Sequence, residues 1–529
     1  MPRRRLRNIM IGLAALPIAA GSVVGTAQTS LAIGGYQAAH TLTTDEANWM
    51  ADLTAGHSYA KHVHDQQECQ NHLGRQCNFD QWRDMIRDTI RNPTDSFTRG
   101  TGGDVYWRTT GTNQLDGMIV ILNRFAPDRS TAFLTNYAYY SGQATQGGLA
   151  NGAAACGVVP PKGKRSTEEE SKACTAVAPV SPALDVGSAD RSATVDVVGQ
   201  DGNIAEYDKK SEKWIKDEKG ADGNTASVTR ITSKNRGSEI YARSLDGQLR
   251  RRKGLEGAWE DLGKPTGGVS VMTAPVVETH YSQNGDNHEE LTVWVVGADG
   301  KLWGRSETVD QGEAKAGAWI PAAPAEGRKI VSAPSVVTYE NNQSVRNVYA
   351  VDDAGSLRQL YTEDGGGNWK WNDLGNAGAK LVGTPSSYFL MKPDNVEWIY
   401  AVDENGSLQG YWLKYVSGQG GHGWSDRGNN GTPLLSNGAP SIGFGGSHSD
   451  SSSYVDTHVV DEKGTAQLLS APNNDPEMKW YDYPGAKLAS QVVIEEPTGA
   501  GGGRWWGVSE DGNLMTSYDH KKWDSVNHG

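Results

Sequence analysis

Three of the twelve histidines fall within eight residues, in the run Gly56-His57-Ser58-Tyr59-Ala60-Lys61-His62-Val63-His64, and His72 and Arg75 follow closely. An imidazole titrates near neutrality, so such a cluster suits general acid–base chemistry. Metal binding is a second reading, because His62 and His64 would share one face of a strand, with His57 nearby. No Glu or Asp motif of the metallohydrolase kind accompanies them, and a polar surface is the third reading. The mature chain has four cysteines. Their clustering favours the pairs Cys69–Cys77 and Cys156–Cys174, each closing a short loop, whereas zinc would want tighter Cys-x-x-Cys spacing.

These groups need elements to position them. The Thr43-Thr44-Asp45-Glu46 signal predicts a helix from Thr44 to about Thr54. Trp82, Met85, Ile86 and Ile90 recur at helical spacing and predict a second helix over 80–91, ended by Asn92-Pro93. Strands are expected over 104–108, 118–122 and 131–137, so residues 36–150 read as a small α+β domain. The stretch from Gln143 to Pro179 reads as a connector pinned by Cys156–Cys174, which places the linker at 151–180. Ahead of all this, Arg3-Arg4-Arg5-Leu6-Arg7 precedes an apolar stretch and small-residue sites after Ala27 or Ala32. That order predicts a secretory signal peptide over residues 1–32 and an extracellular protein. Beyond it no apolar run approaches the roughly 20 residues of a membrane span, and none is expected.

The C-terminal two thirds repeat a pattern. Each unit has an apolar strand, a turn ending in Gly, a second strand and then a Trp. The turn glycines are Gly202, Gly247, Gly300, Gly355, Gly406, Gly464 and Gly512, spaced 45 to 58 residues apart; the tryptophans are Trp214, Trp259, Trp319, Trp371, Trp424, Trp480 and Trp523. Asp-Gly and Asn-Gly pairs predict type I′ turns, which need positive φ at both central positions. Seven units of about 50 residues predict an all-β seven-bladed propeller over 181–529. The pattern resembles the tectonin-type and fucose-lectin-type propellers, and the resemblance implies sugar binding between neighbouring blades. No sugar-binding residues are assigned, and each repeat Trp is expected in the blade core. The segment Thr362-Glu363-Asp364-Gly365-Gly366-Gly367-Asn368-Trp369 resembles a sialidase Asp box, a structural turn that occurs once here.

The opening Gly56-His57-Ser58-Tyr59-Ala60-Lys61-His62-Val63 resembles that of the bacterial RNase A-like toxin domains of contact-dependent inhibition systems. Phe79-Asp80, the strand Ile119–Leu122 and the closing Phe133-Leu134-Thr135-Asn136-Tyr137 follow in the family's order over residues 54–140. The resemblance implies an active site of His62, Arg75, Thr135 and Tyr137. His62 would take the 2′-hydroxyl proton, Arg75 would stabilise the phosphorane charge, and Thr135 and Tyr137 would hold the phosphate or assist the leaving oxygen. It implies metal-independent endoribonuclease action through a 2′,3′-cyclic phosphate, without a cofactor.

The net charge of −13 argues against a protein that coats polyanions. The expectation is therefore a secreted toxin or effector in two parts. The front would cleave RNA, and the propeller would bind cell-surface carbohydrate, with an immunity protein protecting the producer. The alternative is a secreted propeller lectin whose N-terminal domain is a non-catalytic binding module.

Overall fold

The computed structural model describes residues 39–143 and 183–526, short intervening segments excepted. The expected leader over 1–32, most of the expected connector, Cys156, Cys174 and Tyr137 lie outside the described residues. The described chain is mostly β, in eight four-stranded antiparallel sheets whose strands follow one another in sequence order.

The first sheet belongs with the helices. Helix α1 (Thr44–Ser58) begins as expected: Thr43 Oγ1 accepts the Glu46 N–H, and the Glu46 carboxylate accepts the Thr43 N–H at 2.8 Å. It does not stop at Thr54. It continues to Ser58 and passes into a π-helical turn over Tyr59–Asp65. No proline interrupts this stretch, Gly56 alone costs about 1 kcal/mol in a helix, and buried Ala55 and Val63 hold the continuation to the core. The strand geometry expected for His62 and His64 is therefore corrected to helical backbone. Among the described residues no group of three His, Cys, Asp or Glu is placed to hold a metal. Helix α2 (Glu68–Leu73) is tied to the loop before α3 (Phe79–Arg91) by the expected Cys69–Cys77 disulfide, with Cα atoms 5.9 Å apart.

Strands β1 (Asp95–Arg99), β2 (Gly103–Thr109), β3 (Asp116–Asn123) and β4 (Thr131–Asn136) complete this unit. Strand β1 has only one aliphatic or aromatic residue, Phe97, and gave no sequence signal. Trp82 and Ile86 of α3 pack with Val120 and Leu134 on one face of the sheet. Phe97, Trp107, Ile119 and Tyr140 fill the other.

The remaining seven sheets span 183–216, 225–263, 276–322, 335–375, 386–428, 441–483 and 493–525, and are numbered one to seven here. Such four-stranded meanders are typical of propeller blades. All seven turn glycines adopt φ between +72° and +79°. The described residues before them, Asp246, Asp299, Ala354, Asn405 and Lys463, do not, which corrects the expected type I′ turns at these five positions. Each of these five is instead a type I turn closed by a left-handed glycine: Gly355 N–H donates to Asp352 O at 2.9 Å and Asp352 N–H to Ser356 O at 3.0 Å. The Asp352 carboxylate accepts the Ala354 and Ser356 N–H groups, and Asp403 and Asp461 do the same in their turns. In these three turns an acid three residues before the glycine holds the turn; Ser244 and Ser509 stand there in two others, and Gly199 and Gly297 in the remaining two.

The same glycines join the sheets. The carbonyl of Gly355 accepts Leu381 N–H at 3.0 Å, and that of Gly464 accepts Leu488 N–H at 2.9 Å, each from the chain entering the next sheet. A Cβ on Gly355 would lie 2.6 Å from Lys380 Cβ, so the position needs glycine for space as well as for φ. The repeat tryptophans act at the other end. Trp424, Trp480 and Trp523 donate their indole N–H to Leu374, Arg427 and Tyr483 carbonyls of the preceding sheet, and Trp214 donates to the carbonyl of Val526, the residue just past sheet seven. These four are core pins, as expected. In the Asp-box stretch residues 364–367 lie outside the described residues, while Trp369 packs edge-on to Trp294 at 5.1 Å.

Helices α1 and α3 rest on the side of the sheets that carries these turns. Met272 and Ala298 enter the helical core, and Lys380 Nζ lies 5.3 Å from the Phe79 ring centre.

Candidate functional site

Two places hold groups able to do chemistry. The first is His62, which is 8% exposed. Its Nδ1 lies 2.8 Å from Glu68 Oε1, and Glu68 Oε2 accepts the Leu134 N–H of β4 at 2.7 Å. The ring stacks on Phe133 with centres 5.4 Å apart. Thr135 follows on the same face of β4 as Phe133, so Glu68 fastens His62 to the strand that carries Thr135. The expected quartet is not assembled further. Arg75 is exposed after Gly74, and no hydrogen bond or ion pair joins it to His62. His72 is half-buried at the end of α2, and Tyr137 lies outside the described residues. Glu68 escaped the sequence reading. Its one signal was its place beside Cys69, whose disulfide fixes α2.

The second place is the set of clefts between sheets, where charged residues lie. Between sheets one and two, Arg230 reaches Asp196 at 2.5 Å and also Glu206. Burial pushes the Glu206 carboxyl up despite Arg230 beside it. Between sheets two and three, Glu307 takes Arg236 at 2.8 Å and Arg251 as well. Between sheets three and four, Arg346 is 2% exposed and bonds Glu278 at 2.9 Å, Glu290 at 3.0 Å and Thr292 at 2.7 Å. Burial opposes its charge, but the two carboxylates outweigh it and hold the guanidinium pKa above its ordinary value. These three clefts are sealed by their own ion pairs.

The cleft between sheets seven and one differs. Arg504 lies with its guanidinium 4.1 Å from the Trp506 ring centre and 4.4 Å from that of Tyr518, and its Nε donates to Thr516 Oγ1 at 2.8 Å. Among the described residues no carboxylate lies within ion-pair distance of it. The nearby Glu495 bonds Lys209 of sheet one at 2.8 Å and accepts the Trp506 indole N–H at 3.4 Å. Tyr518 is 56% exposed, so this aromatic and guanidinium surface faces solvent. Arg504 also hydrogen-bonds the Tyr207 side chain of sheet one. An aromatic face beside a guanidinium without a carboxylate suits a polyol, whose C–H faces stack while its hydroxyls bond.

Several solved structures share features with the chain. The SapL1 lectin in complex with α-methyl fucoside is 17% identical, over 56% of this chain and 94% of that one, with a TM-score of 0.37. The BP39L lectin from Burkholderia pseudomallei is 16% identical, over 66% and 98%, with a TM-score of 0.47. A fungal lectin from Aleuria aurantia, described as a six-bladed β-propeller with a novel fucose recognition mode, is 11% identical over 58% and 96%, at 0.37. What those lectins bind is a statement about them, since every TM-score is below 0.5. No family profile matches the chain, and no curated protein does.

Proposed function

We propose that the protein is a carbohydrate-binding propeller, secreted through its N-terminal leader and carrying the α+β unit as an accessory module on one face. The seven sheets form a seven-bladed ring on this reading. Its closure is supported by the Trp214 indole bond to Val526 and by the Lys209–Glu495 pair, which join the first sheet to the last. The observation that carries the sugar reading is Arg504 between Trp506 and the exposed Tyr518, without a carboxylate of its own. The ligand is a cell-surface glycan whose ring stacks on Tyr518 and whose hydroxyls meet Arg504 and Thr516. Titration calorimetry of the full chain against methyl glycosides, methyl fucoside among them, tests this. Arg504→Ala and Tyr518→Ala each abolish binding while leaving the thermal midpoint nearly unchanged. Equal binding by both variants would sink the assignment.

The His62–Glu68 pair favours a second activity in the front unit. Glu68 fixes His62 Nδ1 as a donor, which leaves Nε2 to act as base toward a 2′-hydroxyl. On this reading Thr135 and Tyr137 hold the phosphate and exposed Arg75 meets it from the loop. RNA is the substrate, and an immunity protein is the partner that covers the site. Cyclic-phosphate ends from total RNA in EDTA, lost in His62→Ala and Glu68→Gln, are the expected result. Absence of cleavage by the folded wild-type protein would leave the front unit a binding module.

A further inference from the structure

The cleft between sheets five and six holds an arginine where two other sheets hold leucine. Arg427 stands in the β-bulge of the outer strand of sheet five, between Asp426, which pairs with Gln409, and Gly428, which pairs with Leu408. The outer strands of sheets two and four carry the same bulge, and there the extra residue is Leu262 or Leu374. Both leucines pack into the apolar cores of the clefts they face. The backbone confirms the equivalence. Leu374 O accepts the indole N–H of Trp424 in the next sheet at 3.0 Å, and Arg427 O accepts that of Trp480 at 3.0 Å. A charge therefore occupies a position built for an apolar side chain.

Among the described residues no carboxylate lies within ion-pair distance of this guanidinium, and none raises its pKa. The acids of the two sheets are turned elsewhere. Asp426 accepts the Gln409 amide at 3.2 Å and the Gly428 N–H at 2.9 Å, and Asp482 accepts the Asn430 amide at 2.9 Å. Glu397 faces sheet four, where it accepts the Asn347 amide at 3.0 Å. Arg427 has neutral neighbours only: it donates to the Tyr400 hydroxyl and lies 5.0 Å from the centre of the Trp398 ring. Its Nε is buried and bonds nothing. Burial accordingly holds its pKa below the ordinary guanidinium value, whereas Arg230, Arg251 and Arg346, each faced by two carboxylates, are held above it. A partly desolvated cation with no counter-charge in the chain is matched by an anion from outside it.

Beside the guanidinium the sheet presents rings. Tyr388, Trp398 and Trp412 pair across three strands of sheet five, so their side chains share one face with Tyr400. Glycines make room for them: a Cβ on Gly421 or Gly423 would lie 3.1 Å from the Trp412 ring, and one on Gly410 would lie 2.8 Å from Tyr400. Tyr388, Trp398, Trp412 and Arg427 are all half-buried, so this face is partly open to solvent. We propose that the cleft between sheets five and six binds a carboxylate carried on a ring. Arg427 meets the carboxylate, and the ring lies against Trp398 and Trp412. The site stands whether or not Arg504 holds a glycan.

Equilibrium dialysis tests the proposal on the full chain carrying Arg504→Ala, which takes the glycan cleft out of the measurement. The probes are methyl glucuronide, benzoate and methyl glucoside. The expected result is saturable binding of one or both acids, with the glucoside weaker by about tenfold or more. Which acid binds tells an acidic sugar from an aromatic acid. Arg427→Leu installs the residue that sheets two and four hold at this position, so the fold is kept, and it weakens binding by about tenfold or more. A second measurement needs no variant: phenylglyoxal labelling of the wild-type chain, read by peptide mass, is slowed at Arg427 by the bound acid. Glycoside binding at Arg504 in the wild-type chain is untouched by Arg427→Leu, so failure of one site leaves the other readable. No saturable binding of either acid, binding unchanged by Arg427→Leu, or labelling of Arg427 indifferent to the acid overturns the proposal.

Discussion

The cleft between sheets three and four and the cleft between sheets seven and one are built from matching positions and end in opposite states. In each, a tryptophan three residues before the turn, Trp294 or Trp506, donates its indole N–H to a carboxylate on the first strand, Glu278 or Glu495. In each, a cation from the next sheet, Arg346 or Lys209, crosses to that carboxylate. The strand position held by Thr292 in the first cleft is held by Arg504 in the second, as their pairings with Glu278 and Glu495 show. Thr292 adds a hydrogen bond to Arg346 and completes the seal. Arg504 brings a second cation to a carboxylate already taken, so it stacks on rings and bonds the hydroxyls of Thr516 and Tyr207 in place of a carboxylate. Two changes of residue type, Thr292 to Arg504 and Arg346 to Lys209, separate the sealed cleft from the one that leaves an arginine without a carboxylate.

Breaking the sealed cleft has the largest effect. Glu278→Ala leaves Arg346 buried with only the half-exposed Glu290 to balance it, and chemical denaturation is expected to show a loss of about 3 kcal/mol. Next comes the turn that joins the sheets. Gly355→Ala combines a forced φ near +77° with a clash on Lys380, and its expected cost is about 2 kcal/mol. Gly56→Ala, with ordinary φ and open space, is expected to stabilise by about 0.5–1 kcal/mol, so the pair of glycines gives opposite signs.

A smaller effect comes from the cleft between sheets six and seven, where burial pushes the Asp456 carboxyl up to about 6, opposed by a hydrogen bond from Ser470. Folded protein thus holds this proton more tightly than unfolded chain. The group's contribution is complete below the ordinary carboxylate range and is lost as pH rises through about 6. Asp456→Asn is expected to flatten that slope and to raise stability at pH 7.5 by about 1 kcal/mol, read from thermal midpoints at pH 4.5 and 7.5. The smallest effect on stability is that of Arg504→Ala. It breaks no ion pair and is expected to cost under about 1 kcal/mol while removing glycan binding. A large loss of stability there would show that Arg504 seals its cleft as Arg346 does, and the comparison would fail.

The repeat was legible because turn glycines and pinning tryptophans are local requirements that recur in every unit. The left-handed position of each repeat turn is held by glycine, and in four units the repeat indole bonds a carbonyl of the neighbouring sheet or the residue just past it. The turn type is not set by the pair ending in Gly alone: Asp352, Asp403 and Asp461, three residues before their glycines, hold three of the turns in the type I form. In the front unit, two of the three α-helices and three of the four strands could be read from capping residues and periodicity. Strand β1 could not, since Asp95-Ser96-Phe97-Thr98-Arg99 is buried by its neighbours and not by its own pattern. His62 stood out by type and clustering. Its partner Glu68 did not, because the contact depends on how the π-helical turn brings α2 back under β4.

The sequence by itself determined the seven-fold repeat, the turn glycines, the core tryptophans, the first disulfide and the capped helix α1. Each is set by backbone conformation or by spacing within one or two turns of chain. Only the tertiary structure decided which arginines are sealed and which are presented, and that Glu68 holds His62. Those outcomes depend on charge balance and free volume between segments far apart in sequence, and no local pattern encodes either.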